Sequence, residues 1–357
     1  MRPGRTASAH IVPVVRTLLD PDVRLIGAQC RFRLVRSCFP FRGGRFAAVP
    51  FAARAFVVVA FASDSAPFGG GHAAAATHRM NNQHDLTARM EGASPLSRPE
   101  TWNEVASGYA QDLVSLLSLY AQDAIGLAQL PPDARVLDIA TGPGTLAALA
   151  AQHAASVVAI DFAENMIREC ERRTADLPNV DVMQADGQAL PFDDDSFDGV
   201  FSMFGLIFFP DRSAGFEEAR RVLRPHCRAV MSTWAPLTAV PLLRATYGAL
   251  EALVPDMPFG DGKAPLADEA EFAEEMRAAG FRDVRVHTVE HGVEVPSASA
   301  FWAGSVRSSA PIAVLRQGLD PAEWEEVSAG VLSALENEFG SGPLAMTWPA
   351  RLASAVR

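Results

Sequence analysis

Short apolar runs alternate with segments of helical periodicity along most of the chain after Trp102. Five apolar runs are predicted to be strands, at residues 135–140, 156–160, 180–184, 197–203 and 227–234. Segments with apolar residues at helical spacing precede or separate them, at residues 111–130, 145–153, 163–174 and 214–223. This order of strands and helices is typical of an α/β fold in which helices cover both faces of a mostly parallel sheet.

After Trp234 the pattern becomes mainly helical. A helix is predicted at residues 268–279, where Gly280 would end it, and a strand is predicted at residues 283–289. We therefore expect one domain over residues 91–357, with helical insertions at about 236–280 and 296–340.

The first 90 residues differ from the rest in charge and pattern. They carry 12 arginines and four aspartates without a persistent period, and their net charge of +8 leaves −19 on residues 91–357 of a chain whose total is −11. We expect a disordered N-terminal extension, with Met80 or Met90 as an alternative start. A stable membrane insertion or an export signal is disfavoured, because Arg54 interrupts the main apolar run and that run lies far from Met1. The acidity of the remainder argues against a nucleic-acid partner.

The cysteines and the clustered acids predict no metal centre. The four cysteines form no C-x-x-C pair, so neither a zinc ribbon nor a redox motif is indicated, and a reducing, cytoplasmic location fits them best. The acidic run at residues 193–195 is interpreted as a solvated turn.

Two glycines and three acids lie at the predicted carboxyl ends of the strands, the edge where an open parallel sheet binds its ligand. Gly142 and Gly144 form a turn after the first strand, and Asp138, Asp161 and Asp186 lie in or after the first three strands. Such glycines serve both dinucleotides and sulfonium cofactors. A carboxylate at Asp138 would repel a pyrophosphate but help to hold a cation, and no tyrosine is followed four residues later by lysine. A nicotinamide-dependent oxidoreductase is therefore the less favoured alternative.

Four segments resemble, in order and spacing, the motifs of class I S-adenosylmethionine-dependent methyltransferases: "VLDIATGPGTLA", "VVAIDFAENMI", "MQADGQALPFDDDSFDGVFSMFGLIFFPD" and "ARRVLRPHCRAVMSTW". The branch with the ubiquinone and menaquinone biosynthesis methyltransferases is the most similar. The resemblance implies a Rossmann-like fold with a mostly parallel seven-stranded sheet, S-adenosyl-L-methionine as the cofactor, and methyl transfer to a small organic acceptor. It is strong between Trp102 and Trp234 and loose beyond them.

The resemblance also assigns cofactor-binding residues. It puts the methionine moiety against the turn after the first strand, the ribose hydroxyls on Asp161, and the adenine beside Phe162 and Asp186. The full set of implied contacts is Tyr109, Asp138, Ala140, Thr141, Gly142, Gly144, Asp161, Phe162, Met166, Asp186, Gly187, Ser202 and Met203. Two departures are that Ala140 stands where many members have glycine, and that residues 225–227 replace the usual Pro-Gly-Gly.

No catalytic base is predicted, because methyl transfer depends mainly on holding the nucleophile, methyl group and sulfur in line. His226 is expected in a surface turn before the fifth strand. His287 and His291 are expected on one strand, where four residues span about 13 Å and a shared metal is disfavoured.

An apolar acceptor pocket has three candidate sources. They are residues 202–210, the pair Phe301 and Trp302, and the loop with Met257 and Phe259. Together they favour a lipophilic or aromatic acceptor. A non-catalytic S-adenosylmethionine-binding protein is a further alternative, and the oligomeric state is left open.

Overall fold

A computed structural model describes residues 94–255 and 265–357. The predicted extension at residues 1–90, and the candidate pocket residues Met257 and Phe259, lie outside these ranges.

The described residues form a seven-stranded sheet in the order β3-β2-β1-β4-β5-β7-β6. Its strands are β1 (Arg135–Ile139), β2 (Ser156–Asp161), β3 (Val180–Gln184), β4 (Phe197–Met203), β5 (Leu223–Trp234), β6 (Arg282–Val295) and β7 (Leu344–Val356). Neighbours among β1 to β5 are parallel, whereas β7 is antiparallel to both β5 and β6. The prediction of a mostly parallel α/β sheet is confirmed.

Ten α-helices are found among the described residues. They are α1 (Pro99–Asp112), α2 (Val114–Ala128), α3 (Thr145–Ala150), α4 (Glu164–Thr174), α5 (Arg212–Val222), α6 (Pro241–Leu253), α7 (Glu269–Ala278), α8 (Ala298–Ser308), α9 (Ala310–Gly318) and α10 (Pro321–Phe339). Local sequence explains several helix ends. Asp211 and Asp320 cap α5 and α10 with their side chains, and Gly280 adopts φ = 90° after Ala279, the C-cap residue of α7.

Apolar residues at successive strand positions pack in two cores on opposite faces of the sheet. Leu137 packs with α5 and α7 on one face, and Val136 packs with α2 and α3 on the other. A third core joins α6, α8 and α10 in the C-terminal helical part. Phe301 and Trp302 belong to this third core, where the Trp302 indole donates to the Ser328 hydroxyl at 2.9 Å. Their expected place in an acceptor pocket is therefore wrong.

Three predicted boundaries also differ from the structure. The helix expected at residues 111–130 is divided at Leu113 between α1 and α2, and β5 begins four residues earlier than expected. His226 consequently lies exposed inside β5, with φ = 67°, rather than before it. The strand β6 extends to Val295 because it pairs along its length with β7, which the sequence did not indicate.

None of the helices described here is both long and apolar enough to cross a membrane.

Candidate functional site

A cavity of about 330 Å³ lies at the carboxyl ends of β1 to β4, with α1 on its other side. This volume is within the range of small-molecule sites. The cavity brings together eleven of the thirteen predicted cofactor-binding residues: Tyr109, Asp138, Ala140, Thr141, Gly142, Asp161, Phe162, Met166, Asp186, Gly187 and Met203. Gly144 and Ser202 are buried but do not line it.

The turn between β1 and α3 contains three residues with a left-handed backbone. Ala140, Gly142 and Gly144 have φ values of 55°, 54° and 77°. A Cβ on Gly144 would lie 2.6 Å from the Cys170 sulfur, so this glycine allows the turn to pack directly on α4. Gly142 has open space above it, which leaves room for a ligand against the backbone. Gly144 thus allows the turn to pack on α4, whereas Gly142 faces the cavity.

Asp138 is 1% exposed at the end of β1. Its Oδ2 accepts hydrogen bonds from the Thr141 hydroxyl at 2.6 Å and the Ala147 amide at 3.1 Å. Its Oδ1 is buried and has no hydrogen-bond partner, and the same is true of the Thr145 hydroxyl in the cavity wall. Burial raises the pKa of Asp138 to about 7, although the two hydrogen bonds oppose the rise. A cationic ligand group would pair with Oδ1 and relieve this cost.

Asp161, the last residue of β2, links the glycine turn to this strand by a hydrogen bond. Its Oδ2 accepts from the Gly142 amide at 2.9 Å, and its Oδ1 accepts from the Ala163 amide at 2.9 Å. Burial raises the pKa of Asp161 to about 6 despite these bonds. The carboxylate is therefore oriented at the cavity wall before any ligand is bound.

Asp186 and Gly187 follow β3 and form the next part of the wall. Asp186 is exposed, and its Oδ1 accepts from both the backbone and the side chain of Gln188. A Cβ on Gly187 would lie 2.6 Å from the Phe209 ring and 2.8 Å from Ile139. Glycine at this position lets the loop pack against the end of β1.

Ser202 and Met203, both predicted to contact the cofactor, lie in different surroundings at the end of β4. Met203 lines the cavity, whereas Ser202 is fully buried and its hydroxyl has no hydrogen-bond partner. The next residue, Phe204, also lines the cavity and has φ = 60°, which is rare for a bulky residue. Its amide donates to the Ser232 hydroxyl at 3.0 Å.

Helix α1 contributes Trp102 and Tyr109, which lie seven residues apart and therefore on one helix face. The Trp102 ring contacts Phe208 edge-on, with ring centroids 4.7 Å apart, and its indole nitrogen donates to the Leu96 carbonyl at 2.8 Å. Burial, with a smaller effect of Asp161, raises the pKa of the Tyr109 phenol, so it stays protonated. Trp102 was missed by sequence reasoning, and its spacing from Tyr109 was the available signal.

Two hydrogen bonds hold α1 against α4. The Asn165 amide donates to the Asn103 side-chain oxygen at 2.8 Å, and the Asn165 side chain donates to the Asn103 carbonyl at 3.0 Å. The side of the cavity formed by α1 is therefore fixed relative to the helix that follows Asp161.

The charged side chains lining the cavity are all acidic within the described ranges: Asp138, Asp161 and Asp186. Three carboxylates around one space favour a ligand with cationic and hydrogen-bond-donating groups over a pyrophosphate. The four histidines of the described residues do not line the cavity, and the His291 ring nitrogen pairs with Asp123 at 2.7 Å. The described residues contain no group of three or more His, Cys, Asp or Glu side chains able to share a metal ion.

Comparisons with known proteins add an independent observation. Residues 136–226 match a family model described as a methyltransferase domain. The demethylmenaquinone methyltransferase of Clavibacter sepedonicus is 34% identical over 172 residues, which cover 44% of this chain and 70% of that protein. The enzyme of the same name from Beutenbergia cavernae is 36% identical over 183 residues, covering 45% of this chain and 72% of that protein.

Among solved structures, this chain is similar to the YcgJ protein from Bacillus subtilis. The two share 18% sequence identity with a TM-score of 0.44, and the comparison covers 68% of this chain and 97% of that one. The family-model match contains the glycine turn and all three carboxylates of the cavity.

Proposed function

The chain belongs to the class I S-adenosylmethionine-dependent methyltransferases, and from this premise we propose that its cavity binds S-adenosylmethionine and that the protein methylates a small, lipophilic or aromatic acceptor. The observation that carries the proposal is the buried Asp138 carboxylate with an unpartnered oxygen at the glycine turn. A cofactor with a positively charged amino acid end satisfies that oxygen, whereas a pyrophosphate would be repelled by it.

Each part of the cofactor has candidate partners in the cavity. The turn at Ala140, Thr141 and Gly142 would receive the methionine moiety, since Gly142 leaves open space next to its backbone. Asp161 would accept from the ribose hydroxyls. The adenine would lie beside Phe162, Met166, Asp186 and Gly187, and Met203 and Tyr109 would complete the site near the sulfur.

When bound, S-adenosylmethionine supplies an electrophilic methyl group on a sulfonium sulfur. The contribution of this chain is to position the reactants and exclude water. Met203 and Tyr109 border the space where the acceptor would approach, while the contact between Trp102 and Phe208 covers part of the cavity with apolar surface. The protonated Tyr109 hydroxyl can donate a hydrogen bond in this space.

The acceptor class rests on the apolar lining away from the acids. Leu117, Met203, Phe204 and Phe208 present hydrocarbon surface there, and two relatives are named demethylmenaquinone methyltransferases. A neutral ring or a lipophilic group would lose less hydration in this space than a phosphate or a carboxylate.

The substitution Asp138→Asn tests the proposal because it changes the charge and little else. Asparagine can still accept from Thr141 and Ala147, but it removes a buried charge. We expect the ligand-free variant to melt at a higher temperature and to bind S-adenosylmethionine about tenfold to a hundredfold more weakly, as for a lost hydrogen bond to a charged group.

The matched control is Asp181→Asn on β3, an exposed carboxylate outside the cavity. It should change neither the melting temperature nor the affinity measured by isothermal titration calorimetry. Stabilisation of the wild-type protein by NAD⁺ and none by S-adenosylhomocysteine would contradict the proposal and favour an oxidoreductase.

A further inference from the structure

We propose that Ala121 and Phe204 determine acceptor specificity, by forming the floor and the fixed wall of a slot for a planar hydroxyarene. The acceptor slot is defined as Leu117, Ala121, Phe204 and Phe208, all of which line the cavity, and Met203 lies between the slot and the cofactor contacts. This inference rests on the proposed function, because the slot is the part of the cavity that the assigned cofactor contacts leave to the acceptor.

The cavity has a polar part and an apolar part. Its three carboxylates lie at or just after the carboxyl ends of β1, β2 and β3, whereas the slot residues come from α2 and from the turn that follows β4. The slot contains only hydrocarbon side chains, and the Met203 thioether borders it. A planar aromatic ring would bury apolar surface there without leaving a charge unpaired.

Phe204 forms a wall that the surrounding structure holds in place. Its ring stacks on Trp234 with centroids 3.9 Å apart and planes at 20°, and Tyr120 meets it edge-on at 5.5 Å. The Tyr120 hydroxyl donates to the Trp348 carbonyl, and the Phe204 amide donates to Ser232. A bulky residue with positive φ persists only where its neighbours over-determine its conformation. The positive φ of Phe204 therefore marks a wall of the slot whose shape matters to the ligand.

Ala121 sets the depth of the slot. It lies one helical turn after Leu117 on α2, is 1% exposed, and contributes only a methyl group to the cavity wall. An isobutyl group at this position would extend into the slot, whereas removal of the methyl group would deepen it. Selectivity between a bicyclic and a monocyclic acceptor should consequently follow the size of residue 121.

The transfer needs no oxidant or further reactant. The hydroxyarene supplies the electron pair for the new bond to the methyl carbon, the bond between that carbon and sulfur breaks, and its electron pair remains on sulfur as a neutral thioether. The proton that the hydroxyarene loses goes to water. The slot residues orient the ring and take no proton.

The test compares 1,4-dihydroxynaphthalene with 1,4-dihydroxybenzene as acceptors, under anaerobic conditions, in the wild type, Ala121→Leu and Ala121→Gly. We expect Ala121→Leu to lower kcat/KM for the bicyclic acceptor at least about tenfold more than for the monocyclic one, and Ala121→Gly to shift the ratio the other way. The dissociation constant of S-adenosylhomocysteine should stay within about twofold in both variants, because the cofactor contacts lie elsewhere.

The substitution Gly126→Ala keeps the test usable if a variant is unstable. Gly126 lies exposed on the same helix with nothing near its Cβ position, so alanine there stabilises α2 and should not alter the kinetics. It serves alone as the control and together with each Ala121 variant as a stabilised background.

The outcomes separate the two proposals. An unchanged ratio of the two kcat/KM values in both variants overturns the assignment of Ala121. A wild type that binds S-adenosylhomocysteine but methylates neither ring overturns the hydroxyarene slot and leaves the methyltransferase function intact. A wild type that does not bind S-adenosylhomocysteine overturns the proposed function and this inference with it.

Discussion

Ala140 and Gly205 lie so close together that the side chain of one limits the size of the side chain at the other. Ala140 has φ = 55°, a conformation that costs an L-residue about 1–2 kcal/mol and glycine almost nothing. The substitution Ala140→Gly removes that cost. It also makes the unfolded chain more flexible, which lowers the free energy of unfolding by about 0.4–1 kcal/mol. We therefore expect a net stabilisation of about 0.5–1 kcal/mol.

Gly205 leaves the space that the Ala140 methyl group needs. A Cβ on Gly205 would lie 2.4 Å from the Ala140 Cβ, well inside the usual carbon contact of about 3.5–4.0 Å. Gly205 itself has an ordinary φ of −91°, so the obstacle to Gly205→Ala is this contact rather than the backbone. Overpacking of this kind costs about 1–3 kcal/mol. With glycine at residue 140, the nearest remaining neighbour would be the Ser202 hydroxyl at 3.3 Å.

The assay is a double-mutant cycle on melting temperature with Ala140→Gly, Gly205→Ala and the double variant. Gly205→Ala alone should lower the melting temperature by several degrees, given about 2–4 °C per kcal/mol for a domain of this size class. Most of that loss should disappear in the Ala140→Gly background. Additive effects, with a coupling below about 0.5 kcal/mol, would refute the steric argument.

Three further predictions follow from the site and the cores. Gly144→Ala should destabilise the protein and weaken cofactor binding, because a Cβ would meet the Cys170 sulfur at 2.6 Å with φ at 77°; thermal shift with S-adenosylhomocysteine measures both effects, and an unchanged melting temperature would contradict it. The pKa values of Asp138 and Asp161, about 7 and 6 against 3.8 in the unfolded chain, mean that the folded protein binds these protons more tightly. The contribution of these groups to stability should therefore fall as the pH rises from about 4 to 7, while affinity for S-adenosylmethionine rises; melting temperature and calorimetry across that window check the opposite signs. Trp302→Phe should cost about 1 kcal/mol through the lost bond to Ser328 and leave cofactor affinity unchanged, since this residue lies in the third core; an altered affinity would place the helical part in contact with the site.

The glycine turn and the acids were predictable because they are local features. Residues at the carboxyl ends of parallel strands share one edge of the sheet, so Asp138, Asp161 and Asp186 had to converge once the strands were recognised. The strand β7 was not predictable in the same way. Its pairing with β5 joins Arg228 to Val356, and that contact depends on the arrangement of the whole sheet.

Strand geometry explains why Ser202 and Met203 do not both line the cavity. Successive residues of a strand point to opposite faces, so Ser202, inside β4, is turned away from the face that Met203 presents to the cavity. Phe204 follows the strand with φ = 60°, and its side chain is therefore not bound by this alternation. The motif resemblance identified the segment but not the face. Phe301 and Trp302 illustrate a different limit, because apolar residues on a helix predict burial without identifying the elements that cover them.

The two parts of the cavity differ in how far the methyltransferase family model covers them. The acids and the glycine turn lie within residues 136–226, the stretch that matches the methyltransferase family model. Leu117, Ala121 and Tyr109 belong to α1 and α2, which precede that stretch. A protein that shares only the matched stretch shares the surroundings expected for the cofactor and the Phe204 side of the slot, while its acceptor also depends on helices that the family model does not reach. We therefore expect the size and shape of residues such as Ala121 to decide the acceptor, and a relative's acceptor to be a guide only where its residues on these helices leave the same slot.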